Sequence, residues 1–118
     1  MSLDSRLLEK SMLFAIRIVK LYQYLESKKK EYVISKQVLR SGTSVGANVR
    51  EGIYGQSRND FKAKMSIALK EAVETEYWLD LLSHTGYLTE KQYMDIRSDA
   101  SELARMLTST VKKMRMEP

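Results

Sequence analysis

Residues 1–117 contain no proline, because the single proline of the chain is Pro118. A proline inside a helix removes a backbone hydrogen bond and clashes with the preceding turn. Without this breaker, long helices can form uninterrupted, whereas a β-sandwich or barrel relies on many turns. The sequence therefore predicts a few long helices joined by short links.

Apolar residues recur at helical spacing in four segments of the chain. Spacings of three and four residues place apolar side chains on one face of a helix, which then packs in a core. The pattern predicts helices over residues 4–27, 33–54, 59–84 and 89–114. Links this short make consecutive helices antiparallel neighbours. We therefore predict an all-α, up-down-up-down four-helix bundle that forms one domain over residues 1–118.

The second predicted helix is rich in small and polar residues. It holds most of the glycines of the chain, and each glycine costs about 1 kcal/mol relative to alanine in a helix interior. Its core stripe nevertheless keeps helical phase, even though the stripe includes Ser41 and Asn48. Small residues at this spacing predict that a neighbouring backbone approaches this helix closely.

The third predicted helix is apolar around more than half of its circumference. Beside its core stripe, Leu69, Val73 and Tyr77 occupy one flank, and Ile67 and Trp78 occupy the other. A helix in a four-helix monomer usually buries a single face, and a helix that is apolar on all sides is buried. The pattern therefore predicts that this helix also contacts another subunit.

Composition excludes several kinds of site. The chain has no cysteine and a single histidine, His84, which rules out thiolate zinc sites, Cys-His catalysis and the paired Glu-x-x-His motifs of di-iron bundles. Nothing resembles a glycine-rich phosphate loop. No apolar run approaches the roughly 20 residues of a membrane span, and the first residues lack a signal-peptide pattern. We expect a cytoplasmic, non-enzymatic protein with no membrane contact, metal or cofactor.

Three glutamates lie close together on the third predicted helix. As a functional cluster they would be catalytic or metal-binding, but carboxylates without histidine hold transition metals poorly. We therefore favour a structural polar network that sets helix register and subunit docking. Its predicted members are Arg40, Ser41, Ser44, Asn48, Glu51, Glu71, Glu74 and Glu76.

Basic residues concentrate at the predicted helix ends. The formal net charge is +5, and most of the excess lies in residues 1–64, whereas residues 65–87 are net acidic. The up-down topology brings the turn after the second helix next to the end of the fourth. Basic clusters of this kind favour phosphate contacts, which give affinity without sequence specificity. The predicted nucleic-acid-binding residues are Lys28, Lys29, Lys30, Arg50, Arg58, Lys62, Lys64, Lys112, Lys113 and Arg115.

Two stretches carry a distinctive pattern, LRSxxSVxxNVxEG over residues 39–52 and SIALKEAxETEYWL over residues 66–79. They resemble the four helix bundle protein family, which is also called the 23S ribosomal RNA intervening-sequence protein or S23 ribosomal protein family. The resemblance implies a bacterial protein whose up-down bundle assembles into a ring-shaped homopentamer. It implies no established enzyme activity, and it leaves the function largely unassigned, with RNA or DNA binding proposed for the family.

Two functions follow from these observations. The first is a homo-oligomer, a pentamer by the resemblance, that binds structured RNA or DNA through its basic bundle ends. The second is a homo-oligomeric scaffold that docks a protein partner, in which the charge serves only solubility. An enzyme that uses the three glutamates is the least favoured alternative.

Overall fold

The computed structural model describes all residues from Met1 to Pro118. It contains four α-helices and no strand, which confirms the predicted all-α fold. Each helix end lies within one residue of its predicted position. The helices are α1 (Leu3–Ser27), α2 (Ile34–Ile53), α3 (Arg58–His84) and α4 (Glu90–Arg115).

Side-chain caps define where three of the helices begin. Ser2, Ser57 and Thr89 each accept a hydrogen bond from a backbone N–H in the first turn of α1, α3 and α4. Such caps satisfy backbone donors that have no partner inside the helix. At α4 the cap is reciprocal, because the Gln92 side chain accepts from the Thr89 backbone N–H at 2.9 Å. These caps are local sequence signals, which is why the helix starts are predictable.

Helix α2 begins differently, because its N-cap residue Val33 makes no side-chain capping bond. The Glu31 carboxylate takes this role and accepts from the backbone N–H groups of Val33, Ile34 and Ser35 at 3.1, 3.0 and 2.7 Å. A carboxylate here also complements the positive end of the helix dipole. Burial opposes ionisation of Glu31, but these hydrogen bonds outweigh it and hold its pKa below the ordinary value.

The helices pack in chain order around the bundle. Helix α2 lies against α1 and α3, and α4 lies against α3 and, less closely, α1, so that α1 and α3 stand on one diagonal. Across the α1/α4 boundary, Lys10 pairs with Glu102 and Arg17 pairs with Asp95. Residue numbers rise along one helix as they fall along the other, so the two are antiparallel. The molecule measures 48 × 24 × 21 Å.

Small residues bring α2 close to α1. A Cβ atom at Gly42 would lie 2.7 Å from Cγ1 of Ile18, which is fully buried. A Cβ atom at Gly46 would lie 3.3 Å from the backbone carbonyl oxygen of Ser11. The prediction of a close backbone approach to this helix is therefore confirmed, and the neighbour is α1.

The apolar flanks of α3 are only partly covered by the other helices. Leu69 and Trp78 pack at the edge of the core, whereas Ile67, Val73 and Tyr77 are 41%, 54% and 58% exposed. Val73 and Tyr77 share one flank of α3, and we call these two residues the α3 patch. Contact between this surface and another subunit stays a prediction.

A more continuous exposed apolar surface lies on the outer face of α1. Its side chains are between 38% and 54% exposed and follow one another at helical spacing. We call this surface the α1 stripe, and it consists of Met12, Leu13, Ile16 and Val19. None of the four helices is both long and apolar enough to cross a membrane.

Candidate nucleic-acid interface

The structure brings two of the predicted basic clusters to the same end of the bundle. Glu117, which follows α4, contacts Arg58 and Lys62 in the first turns of α3. This contact places the end of α4 beside the turn between α2 and α3. We call this surface the basic end, and it comprises Arg50, Arg58, Lys62, Lys64, Lys112, Lys113 and Arg115.

Three cations of the basic end are paired with carboxylates of the same chain. The Arg58 guanidinium donates to both oxygens of Glu117, with its Nε 3.1 Å from Oε2. Lys62 Nζ lies 3.2 Å from the same Oε2, and Lys64 Nζ lies 2.9 Å from Oε1 of Glu51. The hydrogen bonds from Arg58 lower the pKa of Glu117 to about 2, with Lys62 adding to the effect.

The other four cations of the basic end form no ion pair within the chain, and all four are exposed. They are Arg50, Lys112, Lys113 and Arg115. Arg6 and Arg105 line a groove between α1 and α4 together with Lys113. Sequence reasoning missed these two arginines, although the position of Arg6 in the first turns of α1 already indicated this end of the bundle.

The lysine turn, Lys28–Lys30, lies between α1 and α2 at the opposite end of the bundle. All three lysines are exposed, and Lys30 adopts a left-handed backbone conformation with φ of 55°. This turn directs the next residue, Glu31, inward to cap α2. Three exposed lysines thus precede a buried carboxylate that caps α2.

The predicted polar network is divided into separate groups. Between α2 and α3, Arg40 forms an ion pair with Glu71 at 3.2 Å and a second ion pair with Glu74. Trp78 Nε1 also donates a hydrogen bond to Glu74 at 2.9 Å. Deeper in the same boundary, Thr75 Oγ1 donates to Ser41 Oγ at 2.9 Å, and both residues are fully buried.

The remaining members of the predicted network lie apart from these groups. The Asn48 side-chain amide donates to the carbonyl and hydroxyl oxygens of Ser44 within α2, at 2.9 and 3.0 Å. Glu51 lies at the basic end, where it pairs with Lys64. Ser44, Asn48 and Glu51 therefore make no hydrogen bond or ion pair with the carboxylates of α3.

Glu76 faces α4 and pairs with Arg97. Arg97 Nε also lies 2.9 Å from Oδ1 of Asp80, to which the Tyr93 hydroxyl donates at 2.6 Å, and Ser101 completes the group. Burial opposes ionisation of Asp80, but the hydrogen bonds from Arg97 and Tyr93 outweigh it and lower its pKa. Sequence reasoning missed Arg97, although Tyr93, Arg97 and Ser101 recur every four residues.

Glu71, Glu74 and Glu76 do not converge, because the first two face α2 and the third faces α4. The chain contains no group of three or more His, Asp or Glu side chains arranged to hold a metal ion. Each of the three carboxylates instead has an arginine as its counter-charge.

Comparison with known proteins places both the sequence and the fold of this chain in one family. Residues 4–109 match the family described as 23S rRNA-intervening sequence protein. The chain belongs to this family. The resemblance inferred from residues 39–52 and 66–79 is therefore confirmed. The family match ends before Lys112, Lys113 and Arg115.

A solved structure supports the same assignment. The chain is similar to a crystal structure from Bacteroides thetaiotaomicron, of a protein with unknown function from the S23 ribosomal protein family. The two sequences are 53% identical, and the TM-score is 0.91 over 94% of this chain and 99% of the other. A search of curated proteins found no match.

Proposed function

We propose that this member of the 23S rRNA-intervening sequence protein family is a non-enzymatic homo-oligomer that binds structured RNA through its basic bundle ends. The observation that carries the proposal is the basic end, where four exposed cations have no partner in the chain. The family name refers to 23S rRNA, which makes RNA the first ligand to test.

The physical basis is electrostatic. Each phosphate that a Lys or Arg neutralises releases condensed counterions, so affinity falls as salt concentration rises. Contacts of this kind position a protein on a helical nucleic acid without reading its bases. A binding surface of exposed lysines and arginines is therefore expected to show steep salt dependence and little sequence preference.

The test is a titration of labelled RNA hairpins from 23S rRNA at about 50 and 200 mM salt, with a DNA duplex in parallel. Reversing Lys112 and Lys113 to glutamate should weaken binding and reduce the salt slope by about 1 for each phosphate that is no longer neutralised. The matched control reverses Lys36 and Lys91, which are also exposed, form no ion pair and lie at the other end of the bundle. Equal effects of the two pairs, or binding that ignores salt, would contradict the assignment to the basic end.

The lysine turn supplies a second test of the same proposal. Reversal of Lys28 and Lys29 should weaken RNA binding more than the Lys36 and Lys91 control does, because the three lysines of the turn form a local cluster. If this variant binds as the control does, the RNA interface is confined to the basic end.

We also propose how the copies assemble. The α1 stripe and the α3 patch lie on helices at opposite corners of the bundle, so one copy can offer its α1 stripe to the α3 patch of the next. A contact between two different surfaces is heterologous, and it closes into a ring when the rotation between copies allows it. A groove of about 340 Å³ beside the stripe, lined by Ser11, Ala15 and Gly46 among others, would receive large side chains.

Light scattering tests the assembly, since a monomer has a mass of 13.7 kDa. Ile16→Glu on the α1 stripe and Tyr77→Glu on the α3 patch should each give monomers. Mixing the two variants should give a heterodimer, because one intact stripe can still meet one intact patch. Met94→Glu, which changes an exposed apolar residue of α4, is the control that should leave the assembly intact.

These measurements also separate the two functions. Wild-type protein that assembles but binds neither RNA nor DNA at low salt would favour the scaffold that docks a protein partner. A wild-type monomer, or a Tyr77→Glu variant that assembles like the wild type, would contradict the contact between stripe and patch.

A further inference from the structure

Glu117 forms ion pairs with two cations of the basic end. Its carboxylate accepts from the Arg58 guanidinium through both oxygens and contacts Lys62 through one. Little else holds this residue in place. Its backbone N–H donates to the Met114 carbonyl at 3.2 Å, and the preceding Met116 is 85% exposed. The contact with the two cations is therefore what holds the Glu117 side chain against α3.

The donors around Glu117 also match a phosphate group. A guanidinium that offers two parallel N–H groups binds two oxygens of either a carboxylate or a phosphate, and a lysine adds a third donor. The Arg58 guanidinium lies 4.5 Å from the centre of the Phe61 ring, a stacking contact that orients it. The pair is thus arranged to hold an anion before any nucleic acid arrives.

We infer that Arg58 and Lys62 form a phosphate subsite that Glu117 fills in the free protein and vacates when RNA binds. The inference rests on the proposed function, because it concerns regulation of the same basic end. The carboxylate is a built-in competitor, so the chain lowers its own affinity for phosphate at this position.

Displacement of Glu117 is feasible because its contacts are accessible to solvent. The side chains of Arg58, Lys62 and Glu117 are 55%, 30% and 33% exposed, and ion pairs at the surface contribute little net stability. The low pKa of Glu117 keeps its carboxylate charged at neutral pH, so a small change of pH does not release it. A competing phosphate is what removes it.

The test compares Glu117→Gln with Glu102→Gln. Both substitutions remove one negative charge from α4 or from the residues that follow it. Glu102 pairs with Lys10 and lies about 22 Å from Glu117 along the helix. That distance exceeds the screening length of about 8 Å at physiological salt. Affinity for a labelled 23S rRNA hairpin should rise about threefold to tenfold for Glu117→Gln and stay near the wild-type value for Glu102→Gln. The salt slope should steepen only for Glu117→Gln.

A second comparison localises the effect. In a protein that also carries Arg58→Gln and Lys62→Gln, the Glu117→Gln change should no longer alter affinity, because the subsite is gone. Circular dichroism checks that the variants keep the helical fold.

The outcomes separate this inference from the proposed function. Wild-type protein that binds RNA, with Glu117→Gln no tighter than Glu102→Gln, overturns the inference alone. Protein in which neither the wild type nor Glu117→Gln binds overturns both. Binding by Glu117→Gln where the wild type shows none supports both, and it indicates a strong competitor.

Discussion

Replacing Gly42 with alanine is expected to destabilise the bundle, although alanine is the better helix former. A Cβ atom at this position would lie 2.7 Å from Cγ1 and 2.8 Å from Cγ2 of Ile18. Both atoms are bonded to the Cβ of a fully buried, β-branched side chain. Rotation about χ1 therefore cannot move both of them away from the new methyl group.

The magnitude follows from two opposing contributions to the free energy of unfolding. Overpacking of a well-filled core costs about 1–3 kcal/mol, and a rigid neighbour places this site in the upper part of that range. Alanine in place of glycine in a helix interior stabilises by about 1 kcal/mol. We therefore expect Gly42→Ala to lower the free energy of unfolding by about 1–2 kcal/mol.

Urea unfolding followed by circular dichroism measures this change. All variants are compared at one protein concentration, because the stability of an oligomer depends on concentration. Gly46→Ala is the control, as it lies one turn along α2 and its Cβ would be 3.3 Å from the nearest atom, the Ser11 carbonyl oxygen. Its steric cost should be smaller, which leaves the stability within about 1 kcal/mol of the wild type.

A substitution of Ile18, the residue that would crowd a Cβ atom at position 42, tests the packing explanation directly. In an Ile18→Ala background the crowding atoms are absent, so Gly42→Ala should stabilise the protein by about 1 kcal/mol instead of destabilising it. The sign of the effect thus reverses between the two backgrounds. Equal effects of Gly42→Ala in both backgrounds, within about 0.5 kcal/mol, would refute the packing explanation.

Substitutions at three further positions test an ion-pair group, a helix cap and a glycine turn. Arg97→Ala should lower the free energy of unfolding by about 1–3 kcal/mol, because Glu76 and Asp80 lose their counter-charge. Since the pKa of Asp80 is lowered in the folded state, this difference should be full near neutral pH and shrink below its ordinary value of 3.8. Glu31→Ala should cost about 1 kcal/mol because α2 then has no cap, and this cost should fade as pH falls below the ordinary value of 4.5. Unfolding curves at several pH values check both, and a pH-independent difference would argue against either ionised contact. Gly86 has φ of +84° and open space around it, so Gly86→Ala should destabilise by about 1 kcal/mol, and Gly86→Asn should destabilise less.

Much of the fold is predictable because the signals are local. Helical periodicity repeats within a few residues, and the caps Ser57 and Thr89 are neighbours of the helices they begin. The start of α2 carries no such cap at Val33. Glu31 replaces it, and its role becomes visible only once the preceding turn has folded it inward.

The polar side chains show where this local information ends. The sequence pattern groups Ser41, Glu71 and Glu76 in one network. Glu76 instead pairs with Arg97, which is supplied by α4. Which neighbour a half-buried carboxylate meets depends on the rotation of its helix about its axis, and packing of all four helices sets that rotation.

The sequence by itself determined four helices, their order and an antiparallel topology, because apolar spacing and short links act locally. It also placed the basic residues at the helix ends. Only the tertiary structure decided which of those cations are available to a ligand. Arg58 and Glu117 are 59 positions apart in the chain, and their pairing exists because the end of α4 packs beside the start of α3.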